Sequence, residues 1–448
     1  MTGPSADLAG FIAGLDYADL PAQVQERVKA ITLDTIASAI AGRQGEETGQ
    51  IERLADAVAG SGTSTVLAGP RGLSPAGATL VNGYQVTAVT VCDVFRPALC
   101  HVTPQVVPPA LAVAEQRGAS GRDLLTAVAA GLETTVRIGH AINYPAFRER
   151  GWHSPGVMGP FGGAAAVGTL LGLSAEQQRN AFALAGSQAA GTFAHWGTPT
   201  IKFHQSRGAL SGLLAANLAA TDFRSAEEIF ANPDGGLFHA YSDGGNPERL
   251  TEGLGSRWDL MEIALRRWPA ASSVQTMITS LFALIDAHDV KVADVSEVRV
   301  WLSETVHKMH GTLPWEDKFR AQLSAPYLTS VILHDRQCWL DQFLPSRFGN
   351  PDVDSFARER VQIAPDPAIE GTASVVEIEL DDGMVHRDDR TIAKGDPRDP
   401  LTLDEIVGKF REASAGVLDG AVEGALSSLL ELESLSNVSD TIAALARP

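Results

Sequence analysis

The sequence has few of the residues that mark a secreted or nucleic-acid-binding protein. Only three of its 448 residues are cysteines, Cys92, Cys100 and Cys338, and they form no C-x-x-C pair. Such a scattered set predicts neither a disulfide framework nor a zinc knuckle, and it fits a reducing cytoplasm. The formal net charge of −19 repels a phosphate backbone, and no run of Lys and Arg counters it locally. We therefore expect no nucleic-acid partner.

Signals for export and for membrane insertion are also lacking. The N-terminus carries acids where a signal peptide would need a basic start followed by an apolar stretch. The segment from Gly156 to Ala175 has no charge over a length that could span a membrane. Its six glycines and few large side chains favour a tightly packed internal helix instead. We expect a cytoplasmic protein with no membrane partner.

Standard catalytic and cofactor-binding motifs are missing as well. There is no Walker A sequence, no G-x-G-x-x-G after a strand, no G-x-S-x-G elbow and no H-E-x-x-H helix. His307 and His310 lie three residues apart, but no acidic or cysteine ligands at metal spacing accompany them. The sequence therefore predicts neither a metal nor a cofactor.

Two domains are expected, because a single core rarely grows beyond about 250 to 300 residues. Up to residue 265 the pattern is a succession of helices, with starts at Pro21, Ser74-Pro75 and Ser120 and a capping box formed by Ser174 and Gln177. After Trp268-Pro269, alternating apolar residues at 296–302 and 376–380 predict half-buried strands between helical patterns. Thr402 with Glu405 predicts another capped helix, followed by a helical tail.

The predicted fold class is therefore mainly α. A large all-helical bundle domain is expected over residues 1–265, completed by residues 400–448. A smaller α+β domain is expected over residues 266–399.

Three segments place ionisable residues among small or apolar neighbours, where desolvation moves pKa values. They are 93–101, with Asp93 and His101; 151–155, with His153; and 200–207, with Lys202, His204 and Arg207. Loops rich in His or Lys at a helix N-terminus can hold a carboxylate. An acidic protein would thereby gain a local cationic site.

Each of these residues also has a structural interpretation. A lone His153 would more often hydrogen-bond nearby backbone than catalyse, and Lys202 could be a solvated lysine or an ion-pair partner. Asp93 could be a helix cap, and Tyr327 an aromatic anchor whose hydroxyl finds a partner. Taken singly, each residue favours the structural interpretation.

Their shared order resembles the MmgE/PrpD family, which includes 2-methylcitrate dehydratases, cis-aconitate decarboxylases and iminodisuccinate epimerases. The family's histidine and glycine pattern is similar to the segment from His153 to Ala164, and its LLGL-x-x-x-Q to Leu170–Gln177. Lys202 with His204 looks like its K-x-x-H element at shifted spacing. Tyr327 and the Arg267-Trp-Pro269 segment match further family positions.

The resemblance implies a helical domain and an inserted α+β lid with the active site between them, a homodimer, no metal and a small di- or tricarboxylate substrate. It also implies a set of site residues. The catalytic candidates are His153, Lys202, Tyr327 and Asp93, and the substrate-binding candidates are His101, His204, Arg207, Gln275 and Arg267.

The chain departs from the family pattern in ways that bear on the reaction. An acidic run before the first histidine is reduced to Asp93, and Gln275 replaces a histidine. The expected function is a metal-independent lyase that abstracts an α-proton, with dehydration of a 2-methylcitrate-like substrate as the leading version. Epimerisation, decarboxylation and an inactive carboxylate-binding relative stay as alternatives.

Overall fold

The computed structural model of the protein describes residues 3–70, 72–418 and 422–447. The chain divides into two compact units. One runs up to Ala264 and resumes at Thr402, and the other is Leu265–Leu401. The fold is mainly α, with a four-stranded sheet in the second unit, so the predicted fold class is confirmed.

Several helices of the first unit begin at side-chain caps that were visible in the sequence. Ser74, Ser120 and Ser174 each accept a hydrogen bond from the backbone N–H three residues further on, which satisfies a donor that the helix start leaves unpaired. The helices are α1 (Pro4–Ala13), α2 (Ala22–Gly42), α3 (Thr48–Ala59), α4 (Pro75–Ala88), α5 (Thr103–Arg117), α6 (Gly121–Ala141), α7 (Tyr144–Glu149), α8 (Ser154–Leu171), α9 (Ala175–Gly186), α10 (Thr200–Ala219), α11 (Leu237–Tyr241) and α12 (Glu248–Thr251).

Strands in this unit are short. β1 (Ser61–Thr65) pairs with β2 (Gly72–Leu73), and β3 (Val94–Phe95) pairs with β4 (Ile263–Ala264), both antiparallel. Immediately after β3 the chain turns back, because Phe95 and Cys100 exchange backbone hydrogen bonds of 2.7 and 3.0 Å. This turn returns His101 to the side of Asp93 and so prepares part of the candidate site.

Small residues let the central helices of this unit touch backbone to backbone. A Cβ on Gly212 of α10 would lie 2.7 Å from the Ala164 nitrogen and from the Pro160 oxygen of α8. A Cβ on Gly162 would lie 2.0 Å from Oγ1 of Thr135 on α6. The uncharged segment around α8 is accordingly buried core, as predicted. Among the described residues, no helix has the length and apolarity needed to cross a membrane.

The second unit combines helices with one mixed sheet. Its strand order is β6-β5-β7-β8, with β5 and β6 parallel and the other pairs antiparallel, and the two predicted strands correspond to β5 and β7. The elements are α13 (Gln275–His288), β5 (Val295–Leu302), α14 (Glu304–His310), α15 (Lys318–Ala321), α16 (Ala325–Asp335), α17 (Pro345–Phe348), α18 (Pro351–Glu359), β6 (Val361–Pro365), β7 (Ser374–Leu380) and β8 (Val385–Arg390).

The C-terminal helices belong to the first unit. They are α19 (Leu403–Ser414), which starts at the predicted capping box of Thr402, α20 (Val422–Leu430) and α21 (Ser439–Ala443). Lys409 of α19 forms a fully buried ion pair with Asp34 of α2 at 2.7 Å. Its ammonium also donates to the Val91 carbonyl at 2.9 Å, which ties α19 to the segment that leads to Asp93.

Candidate active site

His153 lies at the start of α8, where three contacts fix its backbone and ring. Its backbone N–H donates to the Gly191 carbonyl at 3.0 Å, and its carbonyl accepts from Val157 in the first turn of the helix. Its Nδ1 atom lies 3.2 Å from Nδ1 of His204. The side chain is buried, with 6% of the residue exposed. Sequence reasoning selected both histidines, and the structure brings them together.

The first two turns of α10 carry three further polar candidates, Lys202, His204 and Arg207. Lys202 is 7% exposed, and its ammonium donates to the carbonyl of Ala88 at the end of α4, at 2.6 Å. His204, two residues further on, is equally buried. Burial of a lysine is uncommon without specific partners, which makes a solvated role for Lys202 untenable.

Arg207, predicted to bind substrate, is engaged with protein carbonyls. Its guanidinium donates to the carbonyl oxygens of Gln188 at 2.7 Å, Ala190 at 2.7 Å and Gly156 at 3.1 Å. It also donates to Oγ of Ser211 at 3.2 Å. These bonds tie the loop after α9 to α8 and α10, so Arg207 supports the wall of the site.

Asp93 and His101 form a second part of the site. The Asp93 carboxylate accepts from the backbone N–H groups of Val102 at 2.7 Å and Thr103 at 3.1 Å, and from Oγ1 of Thr103 at 2.6 Å. It thus caps α5 from a distance, because the residue before α5 provides no side-chain cap. The backbone carbonyl of Asp93 meets Nδ1 of His101 at 2.6 Å.

Burial and nearby cations keep the histidine pair neutral. Desolvation, followed by His204, His101 and Arg148, holds the pKa of His153 well below its usual range. Desolvation, His195 and Arg207 lower the pKa of His204 to about 4. Both imidazoles are therefore uncharged at neutral pH, and a bound polyanion would raise both pKa values.

Sequence reasoning missed the loop that closes over this pair. Gly191 has φ of +141°, and a Cβ there would lie 2.9 Å from Nδ1 of His204. Phe193 lies with its ring centroid 6.2 Å from that of His153, and the guanidinium carbon of Arg148 is 3.5 Å from the Phe193 centroid. The ring of His195 meets His204 edge-on at 5.5 Å. The Gly-rich, aromatic composition of 191–197 is a weak signal that could have drawn attention to it.

Three candidates lie in the second unit. The Tyr327 hydroxyl donates to the Gln342 carbonyl, and burial raises the pKa of that hydroxyl. The Gln275 side-chain nitrogen lies within hydrogen-bonding distance of the carbonyls of Trp268, Ala270 and Ala271. Its Oε1 is buried without a hydrogen-bond partner in the described part of the chain. The guanidinium carbon of Arg267 is 6.0 Å from the Trp339 ring centroid. Their catalytic and substrate-binding roles stay predictions.

One group of potential metal ligands occurs among the described residues, and it includes none of the predicted site residues. The ligand atoms of His140, Asp259 and Glu262 lie within 4.8 Å of one another. Asp259, however, already accepts two hydrogen bonds from the Arg257 guanidinium, at 2.7 and 3.2 Å. The Arg257 guanidinium already supplies the positive charge that balances the Asp259 carboxylate. We therefore assign no metal to this group.

The first unit thus holds a buried pair of histidines, with Arg148 acting on His153 and Arg207 acting on His204. The MmgE/PrpD N-terminal domain matches residues 6–250, and the MmgE/PrpD C-terminal domain matches residues 268–431. The chain belongs to the MmgE/PrpD family, which confirms the resemblance seen in the sequence.

Similar proteins extend over nearly the whole chain. A cis-aconitate decarboxylase-like protein oryM of Aspergillus oryzae is 29% identical, covering 98% of this chain and 96% of the relative. The cis-aconitate decarboxylase of Aspergillus terreus is 25% identical, covering 100% and 96%, and that of Homo sapiens 26% identical, covering 96% and 91%. Family and relatives together indicate an enzyme of the MmgE/PrpD type, related to lyases.

Proposed function

We propose that this protein is a cofactor-independent lyase that removes CO2 from an unsaturated tricarboxylate such as cis-aconitate. The observation that carries the proposal is the buried, uncharged pair of His153 and His204, surrounded by cationic groups. A decarboxylase of this kind needs a proton donor to carbon and a positive environment for carboxylates, and both are supplied by side chains.

The names of the relatives favour decarboxylation over the dehydration that motif order suggests. Relatives called cis-aconitate decarboxylase align over 96 to 100% of this chain. The loss of all but one acid before His101, together with Gln275 in place of a histidine, departs from a pattern that dehydratase and decarboxylase relatives share, so it does not discriminate between these two reactions and keeps epimerisation as the alternative. Dehydration must protonate a leaving hydroxyl as well as remove a proton, so it requires more acid–base groups than decarboxylation.

The reaction can be followed atom by atom. The bond between the carbon skeleton and one carboxylate breaks, and CO2 leaves without the electron pair. That pair spreads into the neighbouring double bond and the conjugated carboxylate, where the charge of Lys202 and the ring of His101 stabilise it. Nε2 of protonated His153 then delivers one proton to carbon and returns to the neutral state.

Substrate binding prepares this step. In the free protein the low pKa of His153 keeps its imidazole neutral. The two or three carboxylates of a bound substrate place negative charge next to His153. This charge raises the pKa of His153, so that the ring takes up a proton. The protein as a whole is acidic, with a net charge of −19, so the local cations Lys202 and Arg148 are needed to attract such a substrate.

The test is to incubate the protein in D2O with cis-aconitate, with 2-methylcitrate and with a dicarboxylate that has one α-stereocentre, and to follow each by NMR. We expect loss of one carboxyl group from cis-aconitate, with one deuterium incorporated in the product. Loss of water from 2-methylcitrate would support a dehydratase instead. Deuterium exchange with inversion would support an epimerase. Binding without any turnover would support an inactive relative.

Variants connect the activity to the site. His153→Asn and Lys202→Met should each lower kcat/KM by a factor of at least about 100, the usual effect of removing an acid–base or charge-stabilising group. His239→Asn is the matched control, since His239 is an exposed histidine of the same unit. Full activity in both site variants would refute the assignment.

A further inference from the structure

The predicted substrate-binding residue His204 faces another side chain of the site. Its Nδ1 atom lies 3.2 Å from Nδ1 of His153, with ring centroids 5.3 Å apart. We propose that His204 is a positioning residue: it accepts a hydrogen bond from Nδ1 of His153 and thereby leaves Nε2 of His153 as the atom that exchanges a proton with substrate. The direction of this hydrogen bond rests on the proposed role of His153 in proton transfer, whereas the contact between the two Nδ1 atoms does not.

Two imidazoles that meet through Nδ1 can hold only one proton between these atoms. If both Nδ1 atoms carried hydrogen, two N–H groups would face each other at 3.2 Å. The surroundings oppose a second charge as well, because His101 and Arg148 act on His153 while His195 and Arg207 act on His204. The pair therefore takes up at most one additional proton and titrates as a unit.

The direction of the hydrogen bond follows from what His153 has to do. When His153 accepts a proton at Nε2, both of its nitrogens become donors, and the Nδ1–H group needs an acceptor inside the protein. His204 supplies that acceptor when its own proton is on Nε2. In the opposite arrangement His204 donates, the proton of His153 lies on Nε2, and no atom of His153 is left to receive another.

A neutral acceptor also suits the chemistry. A carboxylate behind His153 would stabilise the imidazolium and make it a weaker acid. The imidazole of His204 satisfies the Nδ1–H group without adding a negative charge. Protonated His153 therefore remains a strong enough acid to give its proton to carbon.

The fold holds the pair from both sides. The Gly191 carbonyl accepts from the His153 backbone N–H at 3.0 Å, and the absence of a side chain at Gly191 leaves room for the His204 ring. Arg207 fixes the adjoining residue through the Ala190 carbonyl at 2.7 Å. Backbone groups of this loop thus contact both residues of the pair, as expected of a preorganised site.

The experiment compares His204→Phe with His204→Asn. Phe fills the space but cannot accept, whereas the side-chain oxygen of Asn lies near the place of Nδ1 and can accept. Histidine-selective 15N NMR of the substrate-free protein, assigned with His153→Asn, reports the protonated nitrogen of His153. We expect a proton on Nδ1 and none on Nε2 in the wild type and in His204→Asn, and loss of this preference in His204→Phe.

Kinetics provide the second readout. His204→Phe should lower kcat by roughly 10- to 1,000-fold with KM changed by less than about threefold, and it should shift the acidic limb of the pH profile of kcat. His204→Asn should recover most of that loss, and the exposed control His239→Asn should match the wild type. A residue needed only for packing would not give rescue by Asn, since Asn is smaller than either ring.

Three outcomes separate this proposal from the proposed function. A proton on Nε2 of wild-type His153, or a His204→Phe variant with wild-type kcat and pH profile, would overturn the role of His204. A wild type that decarboxylates nothing but shows the Nδ1–H bond and its loss in His204→Phe would refute the reaction while supporting the pair. Rescue of both readouts by Asn would support the proposal in full.

Discussion

Nδ1 of His101 lies 2.6 Å from the backbone carbonyl oxygen of Asp93. A carbonyl oxygen only accepts, so Nδ1 of His101 carries a hydrogen and Nε2 is the nitrogen left for other contacts. The carboxylate of Asp93 accepts hydrogen bonds from the backbone N–H groups of Val102 and Thr103. One residue therefore fixes both the tautomer of His101 and the start of α5.

Asp93→Asn should damage this arrangement while keeping the shape of the side chain. Asn has one acceptor oxygen where Asp93 uses two, and its amide group would face a backbone N–H donor. We expect the free energy of unfolding to fall by about 1 to 3 kcal/mol, as for a buried donor left unsatisfied, and kcat/KM to fall as His101 loses its position. Denaturant titration and steady-state kinetics measure the two effects.

The control for Asp93 is Asp123→Asn, in the exposed capping box of α6. It also removes a carboxylate from a helix start but does so at the surface. We expect it to leave kcat/KM unchanged. If Asp93→Asn were as stable and as active as Asp123→Asn, the buried cap would have no part in the site.

Gly191→Ala tests the loop that closes over the histidine pair. At φ of +141° an alanine is strained, and its Cβ would meet Nδ1 of His204 at 2.9 Å. We expect kcat to fall by about 10- to 100-fold, since a small misplacement of a proton-transfer group has effects of this size. Gly172→Ala, at φ of +67° with no atom within 4 Å, should reduce thermal stability without changing kcat. Equal kcat values in the two variants would contradict the role of Gly191.

Features encoded by neighbouring residues were predictable from the sequence. The capping boxes of Ser174 with Gln177 and of Thr402 with Glu405 involve residues three apart, so the spacing alone reveals them. The strands β5 and β7 were visible for the same reason, because alternation along one segment reports burial of one face.

Contacts between distant residues were not predictable in the same way. His153 and His204 are 51 residues apart, and the family pattern placed both in the site without showing that they touch. The closing loop at Gly191 and the buried bond between Asp34 and Lys409, 375 residues apart, depend on how helices pack. The order of side chains along the sequence does not reveal which distant residues come into contact.

Lys409→Met tests the buried ion pair that ties α19 to α2. It leaves the Asp34 carboxylate buried without its cation, and such losses typically cost about 3 to 5 kcal/mol. We expect thermal and denaturant unfolding to show this loss. Asp34→Leu combined with Lys409→Met should recover part of it, because no unpaired charge remains. Arg411 lies on the same helix as Lys409 and forms an exposed pair with Glu423 of α20. Arg411→Met should have a much smaller effect, and an equal effect would argue against the buried pair.

His310 in the second unit makes stability depend on pH. It is 1% exposed, Nδ1 lies 2.9 Å from the Leu323 carbonyl, and Nε2 lies 2.7 Å from Oγ of Ser273. Desolvation lowers its pKa to about 4, against 6.5 for an ordinary histidine. The unfolded chain therefore binds a proton below pH 6.5 that the folded protein binds only near pH 4.

We expect His310 to stabilise the protein fully above pH 6.5 and to lose that contribution as the pH falls from 6.5 to 4, by roughly 3 kcal/mol in total. The midpoint of thermal unfolding, measured between pH 7.5 and 4, should fall with a shallower slope in His310→Gln than in the wild type, whatever the absolute stability of the variant. His307→Gln, a half-buried histidine on the same helix, is the matched substitution for comparison. His153 and His204 act in the same direction, so part of the slope should persist in His310→Gln. An unchanged slope in His310→Gln would show that its imidazole takes up a proton as readily in the folded protein as in the unfolded chain.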